Sequence, residues 1–396
     1  MDASLWLIII LLIWLLIYLL KQFLRPEESE SFILGPGFLL YKSAKLKGFI
    51  HRLSQKTHRL WNFLANVALL VSIGAVFLAI GLFSINAFRL VTQPRIAVGI
   101  APVIPGVTIP IDLFLIGFLP IAVLAIFIHE FSHGIVAIIE KISIKSAGFA
   151  VFLFFLGGFV EPDEKELVAA HPRSRMKVYA AGSFANLFFA IFLLILLLPL
   201  PFYLILSPAY EPQDGVLILG LREDGPAELA GLQVGDVITA INGVPVENEK
   251  EFSKEYSDLY YRNRANSNVN TTVILKIQNR GILEIESDNY GILGIGYMTH
   301  YAPREWISKL GLSPYGPYRA RQFLFLTQIL NFIIALINLL PIPFLDGSKL
   351  MQAFFDGTIG EGKSKIWLWV LGVLSLFLLL FNITFTFLNA DLLLGL

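Results

Sequence analysis

The residues best placed to do chemistry are His129-Glu130-Phe131-Ser132-His133. In a helix, positions i and i+4 share a face. Both imidazoles can therefore reach one divalent metal, with Glu130 beside a metal-bound water as general base. Zinc lowers the pKa of such a water to about 7, which makes a nucleophile at neutral pH. The pattern is short, so its setting matters. Ile121–Ile128 precedes it and Gly134–Ile139 follows it, and both runs are wholly apolar. Glu and His inside a bilayer helix cost several kcal/mol unless paired or ligated, so they are functional by default. His129 lies about ten residues before the polar Glu140-Lys141, roughly 15 Å at the helical rise. The spacing predicts a metal site within the membrane, to which water must be led.

Two histidines leave a catalytic zinc one protein ligand short. The chain has no Cys and six His. His51 and His58 lie in a basic segment, His171 in a charged loop, and His300 in a later polar insert. An intramembrane carboxylate is the remaining source. Asp346 is the acid near the end of the fifth apolar segment, in Asn338-Leu-Leu-Pro-Ile-Pro-Phe-Leu-Asp346-Gly347. It could instead cap a helix or mark a turn. Pro341 and Pro343 favour extended backbone, which would aim the carboxylate inward.

The elements that must position these groups are membrane helices. The chain has 396 residues, 56% hydrophobic and 15% charged. An average soluble domain is about 25% charged, which excludes a wholly soluble enzyme. The formal net charge is zero, so no field draws nucleic acid. A span needs about 20 mostly apolar residues, and six segments qualify, near 4–24, 62–92, 111–140, 177–206, 318–343 and 366–390. The first has Asp2 before it and Lys21 and Arg25 after it, the reverse of a signal peptide, and reads as a retained helix. Lys and Arg cluster in the segments after the first, third and fifth spans. The positive-inside rule puts these in the cytosol and both termini outside, with the catalytic site toward the cytosol. Residues 93–110 carry four prolines and cannot be helix interior. Residues 142–160 are apolar, with Gly148, Gly157 and Gly158 among β-branched and aromatic residues. They read as a β-hairpin dipping toward the membrane, where protein or a water cavity must satisfy its backbone. The insert at 208–305 is polar, with short strands at Val216-Leu217-Ile218, Val237-Ile238-Thr239 and Val273-Ile274-Leu275. The expected fold is thus a polytopic α-helical membrane protein with about six transmembrane helices, a membrane-associated β segment and an inserted α+β domain. Its segments are 1–110 (first two helices), 111–207 (first part of the core), 208–305 (extracytoplasmic insert) and 306–396 (second part of the core and last helix).

At these residues the chain resembles the site-2 protease family of intramembrane zinc metalloproteases (peptidase family M50). The resemblance rests on His-Glu-Phe-Ser-His in a membrane helix, on the Asn338–Gly347 segment, and on Gly182-Ser183-Phe184-Ala185-Asn186. Gly157-Gly158-Phe159-Val160 before an acidic stretch is similar to the family's β segment. What the resemblance implies is cleavage of single-span membrane substrates within the bilayer. It implies that His129, His133 and Asp346 hold Zn2+ and that Glu130 activates water. Asn338 and Asn186 would hydrogen-bond substrate or transition state; polar glue between helices is an equal reading for Asn186. Ser183 stands where the family often has proline.

The insert resembles a PDZ domain through Gly215-Val-Leu-Ile, Gly225-Pro-Ala, Ala230-Gly-Leu, Gly235-Asp236 and Ile241-Asn242-Gly243. Such a domain binds extended peptide or a C-terminus by strand addition; a size filter is the alternative. Three competing readings stand beside the protease. A zinc-dependent channel or transporter leaves the Glu130 spacing unexplained. A zinc peptidase with a Glu ligand on a later helix leaves the Asn338–Gly347 segment unexplained. An inactive PDZ-bearing scaffold sits poorly with the intact set of four site residues.

Overall fold

The computed structural model describes residues 3–24, 31–105, 108–111, 113–153, 155–265, 272–288, 292–309 and 315–389. Asp2 and Arg25, part of the charge-order reading of the first helix, lie outside them. Two compact units result, residues 1–194 with 325–396, and Ile195–Leu324.

In the first unit, α1 (Ala3–Leu24) leads to a hairpin of β1 (Phe32–Gly35) and β2 (Phe38–Lys42). Next come α2 (Ala44–Lys56) and α3 (His58–Thr92). Ser43 caps α2, its hydroxyl accepting from Leu46 N–H at 3.2 Å. Leu46, Ile50 and Leu53 of α2 pack on Ile135, Ile139 and Ile144, which leaves its lysines exposed. A π-helical turn, Leu113–Phe118, runs into α4 (Leu119–Ile139). Pro120 sits in the first turn of α4, where its missing N–H costs nothing.

The predicted hairpin is present as β3 (Ile144–Phe152) and β4 (Phe155–Pro162). The sequence reading missed that β1 and β2 extend it to a four-stranded antiparallel sheet in the order β1-β2-β3-β4. The hairpin tips are tied together, Leu153 N–H donating to Gly37 O at 2.8 Å. Trp14 of α1 donates to Leu153 O, also at 2.8 Å. The β4 glycines have a packing reason. A Cβ at Gly157 would stand 3.0 Å from Ile126, and one at Gly158 3.3 Å from Phe127, so β4 lies flat on α4 only because both are glycine.

After α5 (Glu164–Ala169), α6 (Pro172–Leu196) and α7 (Pro199–Leu206) replace the single helix expected over 177–206. Pro199 opens α7 and cannot continue a helix from the preceding turn, which divides the two. Asp163 caps α5; the Glu166 N–H it accepts holds its carboxyl below the usual range.

The second unit is built on an antiparallel sheet. Its strands are β5 (Tyr210–Leu221), β6 (Val237–Ile241), β7 (Val244–Pro245), β8 (Thr272–Ile277), β9 (Gly281–Glu286) and β10 (Ile295–Pro303). Their order is β10-β5-β6-β8-β9, with β7 on β6. α8 (Pro226–Leu229) and α9 (Glu249–Ala265) accompany it, and α10 (Glu305–Lys309) follows. Val216, Ile218, Ile238, Phe252, Leu275 and Ile285 form its core. The β6–β7 turn carries Asn242 and Gly243 at φ 50° and 83°, the left-handed pair of a tight hairpin turn.

The chain closes with α11 (Gly316–Leu339), α12 (Asp346–Ile359) and α13 (Glu361–Leu388). The fifth segment was expected to run to 343. It stops at Leu339 because Pro341 and Pro343 have no N–H to donate. Asp346 is not the end of that helix but the first residue of α12, an element the sequence reading missed. Gly347 is required there, because a Cβ would run into the carbonyl oxygens of Leu339 and Leu340.

Among the described residues five helices are long and apolar enough to cross a membrane: His58–Thr92, Leu113–Ile139, Pro172–Leu196, Gly316–Leu339 and Lys363–Leu388. Of the sixth expected span, Leu11–Leu20 counts as a shorter apolar helix. Buried Asn86 of α3 donates to Asn382 of α13 at 2.8 Å, the interhelical polar contact that membrane bundles use.

Candidate metal centre

α4 carries His129 and His133 one turn apart, both buried. Asp346 arrives from the far end of the sequence, at the start of α12. Its Oδ2 lies 3.0 Å from each Nε2, and the two Nε2 atoms are 3.2 Å apart. A tetrahedral zinc with bonds of 2.0–2.1 Å has ligand atoms about 3.3–3.4 Å apart, so the triangle is a few tenths of an ångström tight.

Protonation gives an independent test of fit. His133 Nδ1 is 2.7 Å from Val178 O. A carbonyl only accepts, so Nδ1 carries the hydrogen and Nε2 of the neutral ring is a bare lone pair. That lone pair and the Asp346 oxygen are two acceptors only 3.0 Å apart, and they repel unless a cation lies between them. The donor set and its partners therefore fit a metal ion. It is the one such cluster of His and acids among the described residues.

Asn186 of α6 lies with its amide 3.5 Å from His129 Nδ1, and its buried Oδ1 has no partner. A His that ligates through Nε2 presents Nδ1–H. Turning the Asn186 amide by half a turn gives that N–H an acceptor and satisfies the orphaned oxygen, since amide O and N are exchanged by such a flip. Each imidazole then has an oxygen behind it, the outer support typical of metal-binding histidines.

Gly182 of α6 is required for a purely steric reason. A Cβ there would stand 2.7 Å from His129 Nε2 and closer still to His133 Nε2. The α6 backbone thus forms one wall of the metal position. Sequence alone gives Gly182 no role of its own, because the histidines it faces lie about 50 residues away in α4.

Glu130 is half-buried, and its Oε2 accepts from Val160 N–H of β4 at 3.3 Å. β4 is the outer strand of its sheet, so the carboxylate stands at a sheet edge. Around these groups is a cavity of about 260 Å³. Its walls include Asn338, as the sequence suggested, and Tyr179, Lys349, Pro162 and Phe344, which it did not. Lys349 follows Asp346 by one turn of α12, and its Nζ lies 5.9 Å from the centre of the Tyr179 ring. Phe344, at φ 76°, is 95% exposed at the rim. The other histidines are elsewhere. His300 pairs with Asp214 at 2.6 Å inside the second unit, and His171 accepts from Arg173 N–H at 3.2 Å.

Comparison with known proteins agrees with this geometry. Residues 36% of the chain in extent are 31% identical, over 183 residues, to zinc metalloprotease RasP of Shouchella clausii, of which they cover 43%. Over 256 residues the chain is 30% identical to Uncharacterized protein MJ0971 of Methanocaldococcus jannaschii, 64% of this chain and 61% of that one. The chain thus spans less than two thirds of the length of these relatives. A sequence model of peptidase family M50 matches residues 116–380, a stretch that holds both histidines, Glu130, Gly182, Asn186 and Asp346. The chain belongs to peptidase family M50.

Proposed function

We propose that this protein is an intramembrane zinc metalloprotease that hydrolyses peptide bonds of single-span membrane substrates. The observation that carries the reading is the convergence of His129, His133 and Asp346 within 3.0–3.2 Å, beside Glu130, on a helix apolar enough to span a membrane. His129 Nε2, His133 Nε2 and Asp346 Oδ2 would hold the zinc, which when bound polarises a carbonyl and acidifies water.

The chain's own groups do the rest. Glu130 takes the proton of the attacking water and returns it to the leaving amide nitrogen. Val160 N–H keeps the Glu130 carboxylate turned toward the cavity. A substrate helix hides its backbone in its own hydrogen bonds and must unwind first. The outer edge of β4 offers strand pairing to the unwound segment, next to Glu130. Asn338, in the cavity wall, would hydrogen-bond that segment.

The Ile195–Leu324 unit supports the PDZ-like reading by its antiparallel sheet, its outer strand β10 and the Ile241-Asn242-Gly243 turn. A peptide or C-terminus added beside β10 is the partner this reading implies. The Lys and Arg counts favour a multi-pass protein of the cell membrane, with the metal site toward the cytosol and residues 208–305 outside.

The test uses full-length wild type and Glu130→Gln in detergent. Zinc per chain is measured, and each protein is incubated with a panel of single-span helices. Zinc in both, with chelator-sensitive cleavage by wild type alone, is expected, the loss being about 10²–10⁴-fold. Cleavage retained by Glu130→Gln refutes the general base. Absence of metal from wild type after loading refutes the whole reading.

A further inference from the structure

The segment between the first hairpin and the spanning helix α3 carries a charge that the chain does not answer. From Ser31 to Ile111 there is no Asp or Glu, while Lys42, Lys45, Lys47, Arg52, Lys56 and Arg59 all precede Leu60. Among the described residues none of these six forms an ion pair. Three of them share one stripe of α2. Lys45, Phe49, Arg52 and Lys56 recur at i, i+4, i+7 and i+11, which is one face at about 100° per residue. All four are exposed, Phe49 by 48%. Going round α2 from the face of Leu46, Ile50 and Leu53, Phe49 comes first and the cations follow.

The helix itself does not call for this charge. A cation in the first turn opposes the helix dipole, yet Lys45 stands there with no acid beside it. Lys56, in the last turn, is the one member of the stripe that the dipole favours. An anion from outside the chain is the remaining complement.

Depth selects that anion. Leu46, Ile50 and Leu53 pack on Ile135 and Ile139 of α4, the apolar residues within about 8 Å of Glu140 along the helix. Only Thr57 separates α2 from α3. Leu60 and Phe63 at the start of α3 are 53% and 63% exposed, as the outer face of a span is. α2 therefore lies at the edge of the apolar layer. An exposed Phe within a cationic stripe suits the boundary between acyl chains and headgroups better than a wholly aqueous polyanion.

We propose that the stripe of Lys45, Phe49, Arg52 and Lys56 is a docking surface for anionic phospholipid in the leaflet next to Glu140. The three cations pair with headgroup phosphates, and Phe49 sits among the uppermost acyl carbons. The inference rests on α3 and α4 spanning a membrane and does not depend on proteolysis.

The full chain is placed in phosphatidylcholine nanodiscs that carry a trace of spin-labelled phosphatidylglycerol or spin-labelled phosphatidylcholine. Electron spin resonance gives the relative association of the two lipids with the protein. At low salt phosphatidylglycerol should be preferred about 5-fold, and the preference should fade at about 0.5 M salt. The triple variant Lys45→Gln, Arg52→Gln, Lys56→Gln should lose most of it. A charge-matched control, Lys141→Gln, Lys363→Gln, Lys365→Gln, removes three exposed lysines from other segments and should keep it. Unchanged gel-filtration volume and melting temperature control for folding. If the triple variant does not fold, Lys45→Gln and Arg52→Gln singly, each with a smaller loss, decide. No preference in wild type overturns the proposal, and so does an equal loss in the control, which would mean diffuse charge. Poly-glutamate bound by wild type but not by the triple variant, with equal lipid preference in the two, overturns it in favour of an acidic protein.

Discussion

Replacing Gly182 by Ala separates metal binding from folding, because the two effects have opposite signs. In a helix interior Ala is more favourable than Gly by about 1 kcal/mol, so α6 itself should gain. The new methyl, however, would sit 2.7 Å from His129 Nε2 and nearer to His133 Nε2. That is inside van der Waals contact, so something must move. His133 cannot retreat without stretching its 2.7 Å contact with Val178 O. His129 is backed by Asn186. α6 cannot retreat freely either, since buried Ala180 and Ala181 pack on its neighbours. Overpacking of this kind costs about 1–3 kcal/mol. Without metal an imidazole can leave its inward rotamer, giving up one hydrogen bond to relieve the clash; with metal bound both must point inward, so affinity should drop roughly 10- to 100-fold. The assay is competition for zinc with a chelator of known affinity, beside the melting temperature of the metal-free protein. Weakened zinc with an equal or higher metal-free melting temperature is expected. Unchanged zinc affinity would show that α6 does not wall the metal position. An equal fall in both readouts would show ordinary misfolding.

The same geometry fixes three more outcomes. Asp346→Asn leaves two imidazoles and a neutral amide, so zinc affinity should fall more than about 100-fold, since even outer-shell losses reach 10–100-fold; unchanged zinc content at limiting metal would remove Asp346 from the ligand set. Asn186→Asp keeps an oxygen behind His129 Nδ1 and should hold zinc nearly as wild type does, while Asn186→Leu should lose about 10-fold or more; equal behaviour of the two by chelator titration would mean that the amide does not support the ring. Gly347→Ala forces a methyl into the Leu339 and Leu340 carbonyls and should destabilise the protein by about 1–3 kcal/mol; a melting temperature equal to wild type would show that the α11–α12 connection gives way easily.

Much of this protein follows from local pattern. The i, i+4 histidines and Glu130 share a helix, so their mutual geometry is set once that helix forms. The apolar runs declare membrane spans, and the glycine-rich 142–160 stretch declares a hairpin. Helix ends were less legible, because a single proline decides them. Pro199 divides what reads as one span, and Pro341 ends another before its apolar run does.

The rest depended on the packing of distant segments. Asp346 stands out in sequence only as an acid in apolar surroundings; that its oxygen lies 3.0 Å from both imidazoles is decided by where α12 packs. The steric demand on Gly182, the amide of Asn186 behind His129, and the N–H that Val160 offers Glu130 have no local signature at all. Sequence periodicity records which face of an element is apolar. It does not record which other element will cover that face, because burial is non-directional and many partners satisfy it equally. The sequence determined that a metal-binding helix lies in the membrane; the tertiary structure alone decided what surrounds the metal position.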